Sequence, residues 1–215
     1  MLQLKNNTPF QSNIAVFPNE QGIDTLYITV KATMTLGDKI ELAEVQRPVA
    51  LADEYWGEPG RSSLKSASDA HLGKPSTDVL VIGEACAPDQ RPVTQLDVSV
   101  AVADRKKTVR VFGDRRWETD SKITPPSRFE SMSLVYERAF GGVHEVDQDK
   151  REVLFEPRNP VGAGFTGKRT KKELDGIALP NLEDPGQLIV QPSDRPQPAG
   201  FGAIADSGAA PDAHD

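Results

Sequence analysis

LYITVKATMTL, residues 26–36, is the stretch that decides the fold class. Apolar side chains occupy every second position from Leu26 to Leu36, and Tyr, Thr and Lys occupy the positions between them. Successive side chains of a strand point to opposite faces, so this period predicts a half-buried β-strand. A turn at Gly37 and Asp38 and a returning strand over residues 39–45 complete the expected hairpin.

Further strands are expected downstream. Residues 79–83, Val-Leu-Val-Ile-Gly, form a continuous apolar run, which is typical of a strand covered on both faces. Apolar positions alternate over 96–102 and again at 109–111, so a hairpin is expected with a loop at 104–107 and with Arg110 facing outward. Residues 131–136 and 153–155 are weaker strand candidates, and a short helix over 130–139 is the alternative for the first of them.

Composition supports the same fold class. The chain has 17 Gly and 17 Pro, which weaken helix interiors and suit strands joined by many turns. We therefore expect an all-β or β-dominated fold, an antiparallel sandwich-like arrangement with long loops and few short helices. One domain is expected over residues 1–204, followed by a disordered tail over 205–215 that is rich in small residues.

Charge and cysteine content exclude several classes of protein. The net charge of -7 argues against nucleic acid as the main partner. The single Cys86 excludes an internal disulfide framework, and its expected role is that of a buried structural thiol. No secretory signal or membrane-spanning run is visible, so we expect a cytoplasmic protein without membrane insertion.

Two charged-aromatic segments are the candidate partner-binding sites. Arg pairs with carboxylates through two hydrogen bonds, and Arg and Trp are enriched at interface hot spots. The structural alternative is an Asp–Arg pair at a strand end with the Trp ring packed over it. The candidate residues are Asp114, Arg115, Arg116, Trp117, Tyr136, Glu137, Arg138 and Phe140.

Residues 162–168 fit two phosphate-binding patterns, G-x-G-x-x-G and the start of a P-loop. The context argues against both, because Arg169 stands where a P-loop needs Ser or Thr, and Pro157 and Pro160 interrupt the segment where a buried strand should precede the loop. A tight glycine turn is the structural alternative. No metal is expected, since His71, His144 and His214 are far apart, although an acidic loop with Glu145, Asp147 and Asp149 follows His144.

Taken in order, several segments resemble an uncharacterised bacterial domain family encoded beside the VgrG spike and PAAR-like tip genes of type VI secretion systems. The matching segments are residues 7–10, 30–33, 53–57, 62–64, 74–79, 113–117, 136–142, 159–165, 179–183 and 198–202. Relatives usually continue beyond the last segment, so the resemblance implies a C-terminally short version.

The resemblance implies an adaptor or chaperone without catalytic residues or cofactor. Such a protein is expected to bind an effector, a PAAR-like protein or VgrG, and to assist loading onto the spike. A set of loop residues is expected to form its rigid framework: Gly113, Gly141, Gly142, Asn159, Pro160, Gly162, Gly164, Phe165, Pro180, Asn181 and Glu183. The alternatives are a nucleotide- or phosphate-ester-handling enzyme that uses residues 162–168, and a purely structural β-module.

Overall fold

The computed structural model describes residues 3–70, 76–147 and 152–204. Short strands dominate these residues, which confirms the expected β-dominated, mainly antiparallel fold with long loops and few short helices. The chain forms two compact units: Met1–Glu54 with Ser66–Asp78, and Tyr55–Lys65 with Val79–Asp215. The single domain expected over 1–204 stays a prediction, and the expected tail over 205–215 lies outside the described residues.

The first unit is built on a two-stranded ribbon. Strand β1 (Gln11–Pro18) pairs antiparallel with β2 (Asp24–Lys31) over the full length of both strands. Strand β3 (Met34–Thr35) then pairs with β4 (Glu41–Leu42). The long strand expected over 26–36 is therefore divided in two, and β4 lies inside the returning strand expected over 39–45. Strand β1 has no strict alternation in its sequence and so gives no clear strand signal.

The burial of β2 is the reverse of the usual pattern. Its apolar residues Leu26, Ile28 and Val30 are 51%, 62% and 61% exposed, whereas the polar positions between them are half-buried. Lys31 is drawn inward because its ammonium pairs with Asp69, whose carboxylate also accepts the N–H of Ala50. Alternation thus predicted the strand correctly but could not indicate which face is covered.

The second unit contains most of the remaining elements and the main core. Its longest strands, β8 (Gln95–Val102) and β9 (Arg105–Phe112), form the expected hairpin. Arg110 faces outward as predicted and donates two hydrogen bonds to Asp97 across the strands. The other strands are β5 (Glu54–Tyr55), β6 (Leu64–Ser66), β7 (Glu84–Cys86), β10 (Ser131–Ser133), β11 (Phe140–Gly141), β12 (Val143–Asp147), β13 (Glu152–Phe155), β14 (Ala163–Gly164) and β15 (Leu182–Glu183), with 3-10 helices at Pro88–Gln90 and Tyr136–Arg138.

These strands form small sheets. β15 extends the hairpin to three strands in the order β15-β9-β8. β7 pairs antiparallel with β10 and β12 pairs antiparallel with β13, and β5 is paired with β6. β11 and β14 pair in parallel, which brings residues 140–141 beside residues 163–164. The helix considered over 130–139 is wrong, because residues 131–133 are strand and only residues 136–138 form a single 3-10 turn.

The interpretation of residues 79–83 as a strand covered on both faces is also wrong. The segment precedes β7 without belonging to a strand, and Val79, Leu80 and Ile82 are 51%, 46% and 52% exposed. Only Val81 is half-buried, where its N–H donates to the carbonyl of Phe201. The continuous apolar run therefore marks a surface segment.

Two apolar clusters make the core of this unit. The first joins the hairpin to the later loops through Val109, Val111, Met132, Tyr136, Leu182 and Phe201. The second gathers Trp117, Phe140, Leu174, Leu179 and Ile189. Loops supply most of the second cluster, so its stability depends on how those loops are held.

The exposure of residues 79–83 predicts unequal costs for the same substitution. Leu182→Ala removes a side chain with no exposed surface and should lower the free energy of unfolding by about 2–5 kcal/mol. Leu80→Ala, in the same unit, should cost less than about 1 kcal/mol. Urea unfolding followed by tryptophan fluorescence checks both, because Trp56 and Trp117 both lie in this unit. Equal losses for the two variants would contradict the surface position of residues 79–83.

Candidate functional site

The segment from Asp114 to Trp117 alternates between solvent and interior. Asp114 and Arg116 are exposed, whereas Arg115 and Trp117 are 6% and 1% exposed. The backbone holds this register, since Trp117 donates its N–H to Ile177 and Leu179 donates its N–H to Arg115. Of the four candidate contacts in this segment, only Asp114 and Arg116 therefore present side chains to a partner.

Arg115 forms a buried ion pair with Glu183. Its Nη2 lies 2.5 Å from Glu183 Oε1 and donates a second bond of 2.8 Å to the carbonyl of Pro180. Its guanidinium also stacks 3.7 Å from the centre of the Phe112 ring. The second carboxylate oxygen of Glu183 accepts the N–H of Ile189 at 2.8 Å. The acidic partner of Arg115 is thus Glu183, and the Asp–Arg pair considered within residues 114–116 does not form.

The Arg115–Glu183 pair stabilises the fold. Burial raises the pKa of the Glu183 carboxyl, while the guanidinium of Arg115 and the N–H of Ile189 favour its ionised form. The two side chains pair with each other and bond to backbone groups, while Nε of Arg115 is buried without a hydrogen-bond partner in the described part of the chain. Neither charge is therefore presented at the surface.

Residues 136–142 divide in the same way between interior and surface. Tyr136 and Phe140 are 5% and 1% exposed and belong to the two apolar clusters. Between them, Glu137 and Arg138 are only half-buried and reach solvent. The 3-10 turn makes this possible, because it rotates the two charged residues away from the buried ones.

Asn159 locks this segment to the glycine-rich loop that follows. Its side-chain Nδ2 donates to the carbonyls of Tyr136 and Phe140 at 2.8 and 3.0 Å. Its own carbonyl accepts the N–H groups of Gly142 and Gly162. A Cβ on Gly141 would lie 2.0 Å from that carbonyl oxygen, so only glycine fits there.

Four backbone N–H groups of the same loop, residues 162–168, donate to other groups of the protein. Among its N–H groups, those of Gly162, Ala163 and Phe165 donate to Asn159, Ala139 and Gly141. The N–H of Lys168 donates to His144 Nδ1, and the ammonium of Lys168 lies 3.1 Å from Glu152. A phosphate site needs N–H groups that are free to point at the ligand, and these are already used inside the protein.

A chain of polar contacts connects the half-buried charges. The Glu137 carboxylate accepts both the N–H and the hydroxyl of Ser63, at 2.7 and 2.6 Å. Arg138 Nη1 donates to Asn181 Oδ1 at 3.0 Å, and Asn181 Nδ2 donates to Asp114 Oδ1 at 3.0 Å. Four of the matching sequence segments therefore meet through side chains.

These residues surround an open groove of about 620 Å³. Its apolar lining comes from Trp56, Ile82 and Val135, and its charged lining from Glu84, Glu137 and Arg138. Asn181 closes one side, and Lys65 lies 5.4 Å above the Trp56 ring. We call this feature, lined by Trp56, Ile82, Glu84, Val135, Glu137, Arg138 and Asn181, the Trp56 groove.

A second, smaller and more polar cavity of about 420 Å³ lies beside His144, Arg169 and Glu173. Desolvation and the nearby Arg169 lower the pKa of His144. Within the described ranges, no group of acidic, His and Cys side chains has the proximity needed to hold a metal ion. Asp149, His71 and His214 lie outside those ranges.

The predicted framework residues and Cys86 occupy different environments. The framework residues Gly113, Asn159, Pro180, Asn181 and Glu183 lie in or beside the buried loop contacts, and a Cβ on Gly113 would lie 1.9 Å from the carbonyl oxygen of Ser127. Cys86 is exposed, so its expected burial is wrong. Across the described part of the chain, no helix is long and apolar enough to span a membrane.

Sequence reasoning missed several groove residues as site candidates. Trp56 was noticed only as part of a matching segment, Ile82 and Val135 were interpreted as strand residues, and Glu84 was assigned no role. The signal that was present in the sequence is the tryptophan beside Gly57, since an exposed Trp on a turn is typical of an interaction surface.

The chain belongs to the family described as "uncharacterized protein conserved in bacteria (DUF2169)", whose match covers residues 21–210. No curated protein and no solved structure is significantly similar to it. The family match includes every segment of the Trp56 groove and of the buried ion pair.

The buried ion pair makes a first prediction. Arg115→Met leaves the Glu183 carboxylate buried without its cation and should lower the free energy of unfolding by about 3–5 kcal/mol. The double variant Arg115→Met/Glu183→Leu should recover a large part of that loss, since no charge then remains buried. Urea unfolding of the two single variants and the double variant measures the coupling, and strictly additive losses would contradict a direct pair.

The stability of the Arg115→Met variant should depend on pH through the Glu183 carboxyl. A carboxyl whose folded pKa is raised stabilises the fold below its unfolded pKa of about 4.3, and that contribution is lost as pH rises through the folded pKa. Removal of the guanidinium raises the folded pKa further. The variant should therefore lose more stability at pH 8 than at pH 5, relative to the unchanged protein.

Asn159 gives a second prediction. Asn159→Asp cannot donate to the carbonyls of Tyr136 and Phe140. The Phe140 carbonyl loses this partner and the Tyr136 carbonyl keeps only the N–H of Ala139, at a cost of about 2 kcal/mol. Thermal melting followed by circular dichroism, which reports on the backbone of both compact units, measures the loss. Asn19→Asp, at an exposed turn where the side chain only accepts hydrogen bonds, is the matched control and should be nearly neutral. Equal melting temperatures for the two variants would refute the role of Asn159.

Proposed function

We propose that the chain is a non-catalytic adaptor or chaperone. It binds a type VI secretion effector or a PAAR-like tip protein and assists its loading onto the VgrG spike. The ordered set of sequence segments from residues 7–10 to 198–202 supports this assignment to the type VI secretion apparatus. The cytoplasm is the compartment in which loading would take place.

One observation carries the proposal. Segments that are far apart in the sequence supply neighbouring walls of the Trp56 groove: Trp56 from residues 53–57, Glu137 and Arg138 from residues 136–142, and Asn181 from residues 179–183. In a protein that serves only as a structural module, these segments need not meet at an open surface. Their meeting there favours a binding function.

The exposed members of the candidate set have the chemistry of partner contacts. Arg116, Glu137 and Arg138 reach solvent, while Arg115, Trp117, Tyr136 and Phe140 hold the loops from inside. Arg forms planar, directional hydrogen bonds with carboxylates and carbonyls, and the nearby Trp56 supplies an exposed apolar surface of the type found at hot spots. Partner binding by the buried residues would be indirect, through the position they give to their neighbours.

The nucleotide-handling alternative has no comparable support. The loop of residues 162–168 directs most of its N–H groups into the protein, and Lys168 is paired with Glu152. No observation on this loop favours phosphate over solvent.

The adaptor proposal predicts stable complexes with the neighbouring gene products. Co-expression of the full chain with the adjacent effector, the PAAR-like protein and VgrG should yield a complex that survives size-exclusion chromatography. Arg138→Ala should reduce the affinity by about tenfold, as expected for an Arg at the centre of a contact. Arg105→Ala, on an exposed hairpin turn, is the matched control and should bind normally. A folded sample that binds none of these proteins would overturn the proposal.

A further inference from the structure

The floor of the Trp56 groove is one face of the ribbon formed by β7 and β10. Glu84 lies opposite Ser133 in the strand register, and the N–H of Leu134 continues the ladder to Gly83. Ala85 and Met132, whose side chains point to the other face, are buried in the core. Ile82, Glu84, Ser133 and Val135 therefore share the face that lines the groove.

The outer edge of this floor is open for backbone pairing. Gly83, Ala85 and Ala87 direct their backbone groups toward β10 and its extension. Alternate residues of a strand point their N–H and C=O groups to opposite edges, so Ile82 and Glu84 point theirs away from β10. β7 has no strand on that side among the described residues. An extended segment could thus find hydrogen-bond partners beside the groove.

Two oriented carboxylates give the groove its charge. Glu84 accepts hydrogen bonds from the hydroxyls of Ser131 and Ser133, and Glu137 accepts from the N–H and hydroxyl of Ser63. These donors are neutral, and no Lys, Arg or His of the described ranges lies within 4.0 Å of either carboxylate. Arg138, the basic residue of the lining, is bonded to the amide of Asn181, and the Lys65 ammonium lies 5.4 Å from the centre of the Trp56 ring. Both carboxylates are therefore fixed by neutral donors and have no cation in direct contact within the described part of the chain.

The apolar part of the lining suits a long basic side chain. Trp56 and Ile82 are 46% and 52% exposed. Lys and Arg bury their methylene stems on such surfaces while their charged ends reach acceptors, and a guanidinium stacks on an indole ring. The Lys65 ammonium over the Trp56 ring shows that this ring accepts a cation.

We infer that the Trp56 groove binds an extended segment of a protein partner that places a Lys or Arg side chain between the carboxylates of Glu84 and Glu137. The inference rests on the proposed adaptor function and names the site and the charge of the segment that the adaptor holds. The stem of the basic side chain packs beside Trp56 and on Ile82. Its charged end supplies both carboxylates with a cation in direct contact.

Three fluorescein-labelled peptides test the charge preference. They share the sequence Ser-Val-Thr-Val-Xaa-Val-Thr-Val-Ser, with Arg, Gln or Glu at Xaa, and are titrated against the full chain by fluorescence polarisation. The Arg peptide should bind at least about tenfold tighter than the Glu peptide, and its affinity should fall as salt is raised. Equal binding, a preference for the Glu peptide, or no binding of any peptide would overturn the inference.

Matched variants locate the binding. Glu84→Gln and Glu137→Gln keep the size of the side chain and should each weaken the Arg peptide by about fivefold while leaving the Gln peptide unchanged. Glu84 is exposed, so its variant is expected to fold even if the Glu137 variant does not. Asp104→Asn removes an equal charge at the distant hairpin turn and should have no effect, beyond that of net charge, on either peptide.

The result is separable from that of the adaptor proposal. If the unchanged protein forms the complex with the effector or spike proteins and both Gln variants form it equally well, the groove is not the contact, and the adaptor proposal stands. If no complex forms but the Arg peptide binds with the predicted charge preference, the groove inference stands and its partner is a different protein. Loss of peptide binding in Asp104→Asn equal to that in Glu84→Gln would show unspecific charge attraction and overturn the site.

Discussion

The ion pair between Arg115 and Glu183 is the constraint on which much of the second unit depends. Two charges taken out of water are tolerated only when they are paired in good geometry. Here that condition fixes the segment after β9, the Pro180 carbonyl, β15 and the backbone at Ile189 relative to one another. β15 then completes the three-stranded sheet, and Asn181, held between Pro180 and Leu182, bonds with both Asp114 and Arg138. Asn181 lies two residues before Glu183 in the chain, lines the Trp56 groove and bonds to Arg138. The buried ion pair is therefore linked directly to the wall of the groove.

Loops that are locked in this way take the place of large sheets. Strands of two or three residues cannot bury much surface by themselves, and the cluster around Trp117 and Phe140 is covered by loop residues such as Leu174, Leu179 and Ile189. Asn159 and the glycines at 141, 142 and 162 supply the close backbone approach that holds those loops. Rigid irregular structure of this kind can place side chains at a surface as firmly as a sheet does, which is what the half-buried Glu137 and Arg138 require.

Local patterns predicted local structure well and burial poorly. The β8–β9 hairpin was predictable because its apolar residues alternate along both strands and the core covers the apolar face. In β2 the alternation was equally clear, yet the apolar face is exposed, and Lys31, paired with Asp69, lies on the covered face. Arg115 and Arg116 are neighbouring residues of the same type, and no local pattern distinguishes them. Arg115 is buried with Glu183, 68 residues further along the chain, whereas Arg116 is exposed. Such long-range pairs leave no trace in composition or spacing. The groove escaped prediction for the same reason, since its walls come from four separate segments.

The distribution of exposed apolar side chains bears on the choice between an adaptor and a self-sufficient module. Ordered residues such as Leu26, Ile28, Leu80 and Ile82 keep about half or more of their surface in water, in both compact units. Exposed apolar surface on an ordered segment is typical of surfaces that a second chain covers. In the second unit, the exposed run ends at the floor of the Trp56 groove, where apolar surface, an open strand edge and uncompensated carboxylates coincide. Among the described residues of the free protein, the apolar surface is exposed to water, the strand edge is unpaired and the carboxylates have no cation in contact. An extended basic segment of a partner would satisfy all of them at once, which a catalytic role for the glycine-rich loop would leave unexplained.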